Sequence, residues 1–280
     1  MSEVKHPASP ALAYVLGHSA AELGRLASQA RVVDPITRRY FVEAGITKGM
    51  RVLDVGSGAG DVALLLAELV GAGGEVVGVD RSGVALATAR KRVAERGLHQ
   101  VTFQEGDPAA LTFDRPFDAV AGRYVLMFQR DPAAMLAVLA RLVHCGGPIV
   151  FHEPDWQAAH SNPPSLTHDR CCGWLVKLLE KTGIESHMGV KLHAAFVAAG
   201  LPAPTMRLEA GVGGAESGLE WINLLAELTA IAVPELERHG IATAAEIDIS
   251  SLADRIVAEL RESGGAIVGR GEVGAWTRRA

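Results

Sequence analysis

The sequence predicts an α/β protein built on a doubly wound, mostly parallel sheet, and three features of the chain carry that prediction. From residue 51 apolar strand-like stretches alternate with helical ones, the pattern of right-handed βαβ crossovers. The first strand, Val52-Leu-Asp-Val55, runs directly into Gly56-x-Gly58-x-Gly60 and then into a helical stretch over 62–70. A second strand ends in an acid, Asp80, 20 residues beyond Gly60.

Each element follows from local pattern. Residues 1–10 are polar and carry proline, which argues for a frayed start. Helical patterns follow over 11–30 and, beginning at a proline, 35–44. The alternation then runs as strand 51–55, helix 62–69, strand 75–79, helix 83–96, strand 101–105 and strand 117–122. A helix over 132–143, the turn Gly146-Gly147 and a strand over 148–153 complete it. Residues 155–200 read as mostly helical, broken at Pro163-Pro164. A strand over 204–211, two or more helices over 219–260 and a closing strand over 265–278 end the chain. No internal repeat or low-complexity segment is present.

Composition excludes several classes. The 280 residues suffice for one large domain with a normal core. The net charge of −5, with no basic run longer than Arg90-Lys91-Arg92, argues against a nucleic-acid partner. No apolar run approaches the length that spans a bilayer, so no membrane partner is expected. The first ten residues lack a secretory pattern, and Cys145 and the vicinal Cys171 and Cys172 fit neither a disulfide framework nor a metal knuckle; both facts point to the cytoplasm. His152, Glu153 and Asp155 do not form a metal site, because strand alternation sends 152 and 153 to opposite faces.

The glycine loop points to a nucleotide-like cofactor, because it lets a ligand approach the backbone and precedes a helix N-terminus with its unpaired N–H groups. The dinucleotide fingerprint would require glycine where Asp61 stands, which weakens a nicotinamide or flavin reading. Asp54, at the end of the strand, would repel a pyrophosphate but accept hydrogen bonds from a ligand ammonium.

Together with the strand Glu75-Val-Val-Gly-Val-Asp80, these residues resemble the class I S-adenosylmethionine (SAM) dependent methyltransferases of the small-molecule type. The resemblance covers 51–155 and fades outside it. It implies a seven-stranded Rossmann-like methyltransferase sheet ending in an antiparallel pair. It also implies a division into an N-terminal helical lid (1–50), a SAM-binding core (51–155), a helical cap (156–203) and the end of the sheet (204–280) with a helical insertion at 215–262.

The same resemblance distributes roles. Asp54, Gly56, Gly58 and Gly60 form the cofactor loop. Asp80 is expected to accept the ribose hydroxyls, with a helix N-cap as the alternative, and Arg81 either to lie along the adenine or to be a solvated side chain. Gly106 and Asp107 resemble the segment that bonds the adenine amino group; Pro108 has no N–H, so the neighbouring ring contact passes to Ala109 or is lost. Gly122 and Arg123 flank the methionine end, Arg123 either pairing with a carboxylate or forming an ion pair with Asp131 or Asp155. Gln29 is a lid contact to the cofactor, and Tyr14 a lid residue and catalytic candidate. His152 is the candidate general base, against a hydrogen-bonded structural histidine. Tyr124, Asp155, Trp156, His160 and Met188 are the candidate acceptor contacts, and His168 is a further cap histidine.

The expected reaction is in-line transfer of the sulfonium methyl to a small-molecule acceptor of aromatic or hydrophobic character, for which alignment matters more than a dedicated base. The alternatives are a SAM-fold enzyme with a non-methylating reaction, an arsenite methyltransferase using the three cysteines, a nicotinamide oxidoreductase, and a non-enzymatic partner protein. Oligomeric state stays open, with a homodimer as the candidate.

Overall fold

The computed structural model describes residues 20–108 and 110–280, with side chains from Gln29 onward. Its centre is a seven-stranded sheet in the order β3-β2-β1-β4-β5-β10-β7. Strands β1 (Arg51–Val55), β2 (Glu75–Asp80), β3 (Val101–Glu105), β4 (Ala119–Arg123) and β5 (Pro148–Asp155) pair in parallel. β10 (Gly271–Arg278) enters antiparallel between β5 and β7 (Thr205–Glu209), the antiparallel ending that the resemblance implies.

Two apolar layers enclose the sheet. On one face Phe41 and Ala44 of α1 (Ala20–Ala44) meet Val62, Leu65 and Leu66 of α2 (Asp61–Val70) over Val52 and Val76. α3 (Gly83–Glu95) adds Val93 to that layer. On the other, Leu136 and Leu139 of α4 (Pro132–Arg141) and Leu192 and Phe196 of α6 (Met188–Ala198) cover Leu53, Ile149 and Phe151. A third core lies outside the sheet. It joins α5 (Leu166–Lys181), α7 (Leu219–Arg238) and α9 (Leu252–Ser263) through Leu175, Ile222, Leu225, Ile256 and Leu260. The short α8 (Ala244–Ile247) adds Ile247 to that core. Beside it stands a three-stranded sheet, β6 (His160–Asn162), β9 (Ala266–Val268) and β8 (Val212–Gly213). Among the described residues no helix is long and apolar enough to cross a membrane.

Three local expectations change. α1 is one helix that runs through Pro35, where the sequence predicts separate helices. The proline removes one backbone donor, but Val33, Ile36, Tyr40 and Phe41 are all buried, and that packing outweighs the lost bond. The part of the first predicted helix before residue 20 lies outside the described residues.

The predicted closing strand 265–278 is two strands in two sheets. Its break falls at Gly269-Arg270, where the Trp221 ring lies 2.7 Å from the place a Cβ on Gly269 would occupy and the Gly269 N–H donates to the Gly211 carbonyl. The turn sends Arg270 into the interior, where it is 7% exposed. The three-stranded sheet is not legible in the sequence because its strands have two or three residues each.

Candidate active site

The cofactor loop begins where β1 leaves the centre of the sheet. Gly56, Gly58 and Gly60 all have positive φ, at 66°, 50° and 89°. At Gly56 a side chain would also strike Val125, 2.7 Å from the Cβ position. At Gly58 a Cβ would instead meet only the Gly56 carbonyl oxygen, at 4.0 Å, so the loop presents bare backbone there. The Gly58 N–H donates to Asp80 Oδ2 at 2.9 Å, and the Ser82 N–H to Asp80 Oδ1 at 2.8 Å. Asp80 therefore ties the first loop to the second, while Ser82 is the N-cap of α3. The N-cap alternative for Asp80 gives way to this bridge. Asp61, which displaces the third glycine of a dinucleotide loop, pairs with Arg92 at 2.7 Å; Arg92 also donates to the Ala59 carbonyl.

Beneath this loop lies Asp54, fully buried, with neither carboxylate oxygen hydrogen-bonded within the protein. The Ala63 amide faces the carboxyl from the first turn of α2 without closing a bond of ordinary geometry. Burial pushes the Asp54 carboxyl well above its usual range, and Arg123 opposes that shift. The buried Ser57 hydroxyl is likewise unpartnered. Orphaned acceptors under a side-chain-free loop fit a ligand that brings its own donors, an ammonium and ribose hydroxyls. The residues present suit SAM.

The third loop places Gly106 with φ 149°, its N–H donating to the Asp80 carbonyl. Asp107 pairs with Arg81 at 2.5 Å, so these two candidates stand together at the rim. Ala109 lies outside the described residues. Gly122 is explained by packing, since the Phe151 ring lies 2.6 Å from where its Cβ would sit.

Beyond β4 the polar groups close on one another. Arg123, 7% exposed, donates to Asp34 Oδ1 at 2.6 Å and to Thr37 Oγ1 at 3.0 Å. The expected ion-pair partners Asp131 and Asp155 are replaced by Asp34, a residue of α1. His152 is fully buried, with Nδ1 3.0 Å from Thr37 Oγ1 and Nε2 2.8 Å from Glu272 Oε2. Burial lowers its pKa, so the neutral ring donates from Nε2 to the carboxylate, and Nδ1 lies beside the Thr37 hydroxyl, whose one proton is shared with the Val33 carbonyl. Both nitrogens are engaged, and the structural reading of His152 replaces the general-base reading.

Glu272 also accepts from Tyr124 Oη at 2.7 Å and from Arg270 Nε at 2.9 Å, while an Arg270 terminal nitrogen reaches Tyr124 Oη at 3.0 Å. Burial alone would raise the Glu272 carboxyl; Arg270, His152 and Tyr124 hold it at about 2. Tyr124 sits at φ 57°, an uncommon angle for a non-glycine residue, and belongs to this network. Glu153, on the opposite face of β5, accepts the Val125, Leu126 and Met127 amides and shapes the loop after β4. Sequence reasoning missed Glu272, Arg270 and Asp34 because each acts on residues far away along the chain.

The remaining candidates separate. Asp155 holds the start of α6 through the Val190 N–H at 3.1 Å and accepts from Gln157, so its carboxylate is structural rather than an acceptor contact. Met188 is core, packed with Ile184, Leu192 and Val273, and is likewise no acceptor contact. His160 is exposed on β6 and bonds the Ala158 carbonyl, away from the cap cleft. Gln29 is buried on α1, and Tyr14 lies outside the described residues. Trp156 lines a narrow cleft beside the third core, with Trp221, Leu225, His168, Cys172 and Arg270. The Arg270 guanidinium lies 5.4 Å from the Trp156 ring centre. Cys171 bonds Thr229 and Cys172 approaches His168, while Cys145 is exposed, so the three thiols do not converge.

A family model described as a methyltransferase domain matches residues 46–187. Among curated proteins, the aklanonic acid methyltransferase DauC of Streptomyces sp. (strain C5) is 36% identical over 136 residues, 48% of this chain and 62% of its own length. The demethylmenaquinone methyltransferase of Thermus thermophilus is 40% identical over 118 residues, 41% of this chain and 53% of its own. The chain thus spans between about half and three-fifths of these two relatives. Among solved structures, geranyl diphosphate C-methyltransferase from Streptomyces coelicolor A3(2) superposes with a TM-score of 0.54 at 16% identity, over 95% of this chain and 88% of that one; it shares the fold.

Proposed function

Since this chain belongs to the methyltransferase-domain family, whose model covers residues 46–187, we propose that it transfers a methyl group from SAM to a small-molecule acceptor of aromatic or hydrophobic character. The observation that carries the reading is the buried Asp54 carboxyl with two unpartnered oxygens beneath the open backbone of Gly58. Bound SAM supplies an electrophilic sulfonium methyl. Asp80 holds the ribose with the acceptor capacity that the Gly58 and Ser82 amides leave free, and those amides fix its carboxylate in advance. Asp54 receives the amino end, and Arg81 with Asp107 forms the adenine rim. Arg123 braces α1 over the methionine end through Asp34 and Thr37.

Outside the sheet, Trp156 and Trp221 line a narrow cleft in which Arg270 is the one cation among the lining residues. The relatives named for aklanonic acid and demethylmenaquinone support a small-molecule acceptor. Catalysis then rests on alignment in a water-poor site, which suits a buried network with few mobile groups.

Calorimetry of Gly58→Val tests the cofactor assignment. The added side chain enters the open side of the loop, and SAM affinity is expected to fall by about 100-fold, roughly 3 kcal/mol, with an unchanged far-UV spectrum. A variant that binds SAM like the parent, or a parent that does not bind it, overturns the reading.

A further inference from the structure

A glycine loop that opens a helix can hold a phosphate, because the first amides of the helix have no partner within it and its dipole favours an anion. In this chain acid groups already stand at that end of α2. Asp61 is the first residue of α2, placed where the dinucleotide spacing calls for glycine, and Gly60 before it caps the helix without a side-chain bond. Asp54 approaches the same turn from beneath. Its carboxyl is fully buried, both oxygens lack a hydrogen bond, and the backbone group facing it is the Ala63 amide of that first turn. Asp34 of α1 is near enough to feel the same charges: burial raises the Asp34 and Asp54 carboxyls, and Asp61 raises both further.

The arginines around this turn are engaged by the protein. Arg92 of α3 donates one terminal nitrogen to Asp61 Oδ1 and the other to the Ala59 carbonyl, both at 2.7 Å. It fixes the Asp61 side chain and the far side of the glycine loop together. α3 is pressed close there, since a Cβ on Gly60 would stand 3.0 Å from that of Ala89. Arg123 donates to Asp34 and Thr37. Asp80 is a further acid beside the loop, holding the Gly58 and Ser82 amides. A phosphate at the head of α2 would therefore face the Asp61 carboxylate with Arg92 and Arg123 both engaged elsewhere. A cationic ligand end is attracted by the same groups.

We propose that Asp61 selects the cofactor by charge: held at the head of α2 by Arg92, it takes the place a nucleotide phosphate would need and leaves the loop open to a nucleoside with a cationic end. Arg92 is the positioning residue. This rests on the methyl-transfer reading above and adds to it the exclusion of adenine nucleotides, which carry the same adenosine as SAM. Charge that opposes the wrong ligand gives specificity without a new contact to the right one.

Calorimetry of the full chain with SAM, adenosine and ADP in metal-free buffer tests this, because the three ligands share a nucleoside and differ in what it carries. In the parent, ADP is expected to bind about tenfold more weakly than adenosine, since its phosphates meet the Asp61 carboxylate. Raising the ionic strength from about 0.05 M to about 0.5 M should narrow that gap by screening, whereas exclusion by shape alone would not respond to salt. Asp61→Asn keeps the size of the side chain, removes its charge and releases Arg92. The ratio of ADP to SAM affinity should then rise about tenfold over the parent, while Asp61→Glu, which keeps the charge, should stay near the parental ratio.

The parent measurements need no variant to fold. A parent that binds ADP as tightly as adenosine, a gap between the two that salt leaves unchanged, or an Asp61→Asn protein with the parental ratio overturns charge selection by Asp61 and leaves methyl transfer standing. A parent that binds ADP but not SAM overturns the methyl-transfer reading itself, and this inference with it.

Discussion

The two halves of the sheet's carboxyl edge treat buried charge in opposite ways. At β1 and β2, Asp54 is sealed from solvent with both oxygens unpartnered, and the loop above it is bare backbone. At β4, β5 and β10 the buried polar groups satisfy one another: both His152 nitrogens are bonded, Glu272 accepts from three side chains, and Glu153 takes three amides. An unpartnered buried carboxyl costs stability that a ligand with donors restores, whereas a satisfied one holds the frame. The first half is thus arranged for recognition. The second is scaffold.

The largest break in this contrast comes from Glu272→Gln. It leaves Arg270 buried beside a neutral amide, and removal of one partner from a buried pair costs about 3–5 kcal/mol. Urea unfolding should show that loss, while the protein that remains folded keeps nearly parental SAM affinity, because Asp54 and Asp80 touch no member of the network. The Glu272 carboxyl lies near 2, below its ordinary value of 4.5. Its stabilising contribution is therefore complete above about pH 4.5 and is lost as the pH falls through 2. An equal loss of stability and of SAM affinity would dissolve the distinction between the halves.

This contrast also explains what the sequence reveals. The cofactor half is made of short-range relations: three glycines two apart, an acid just before them, and a second acid whose partners are Gly58 and Ser82. Residue types at fixed spacing state that chemistry directly. The scaffold half is made of pairs such as His152 with Glu272, 120 residues apart, and Tyr124 with Arg270, 146 apart. Nothing in Gly-Arg-Gly at 269–271 marks an inward arginine until Trp221 is known to fill the space beside Gly269. The misreading of His152 has the same origin. A histidine at the carboxyl end of a strand suits a base equally well until Thr37 and Glu272 are seen on its two nitrogens. Pro35 misled locally because packing on the sheet, which local pattern does not contain, carries α1 through it.

A middle-sized effect separates the two faces of the second half. Glu153 lies behind β5, where burial pushes its carboxyl up to about 7 despite three amide donors. A carboxyl raised in the folded state keeps its proton longer than in the unfolded chain, so its contribution falls as the pH rises between 4.5 and about 7. The full difference is about 3 kcal/mol. Glu153→Gln should remove this slope: parent stability from urea titrations declines from about pH 4.5 to about pH 7 relative to the variant. A parent and variant with parallel pH profiles would mean that Glu153 stays ionised throughout, as Glu272 does.

The smallest effect tests how α1 joins the halves. Tyr40 donates its hydroxyl to the Glu272 carbonyl at 2.7 Å, lies edge-on to His152 and stacks on Trp276; a side chain on Gly274 would collide with its ring. Tyr40→Phe keeps the ring and removes one neutral hydrogen bond, which is worth about 1 kcal/mol, or about 2–4 °C in the thermal midpoint of a chain this size. α1 touches the scaffold half through Tyr40 and Thr37, but it approaches the cofactor half through Asp34, whose partner Arg123 lies near enough to Asp54 to lower its pKa. If α1 is a rigid brace, the loss in Tyr40→Phe stays in stability and SAM affinity is unchanged. If α1 instead moves as a lid, loosening it at Tyr40 carries Asp34 and Arg123 with it, and SAM affinity drops in step with the thermal midpoint. Calorimetry and a melting curve on this one variant distinguish the two.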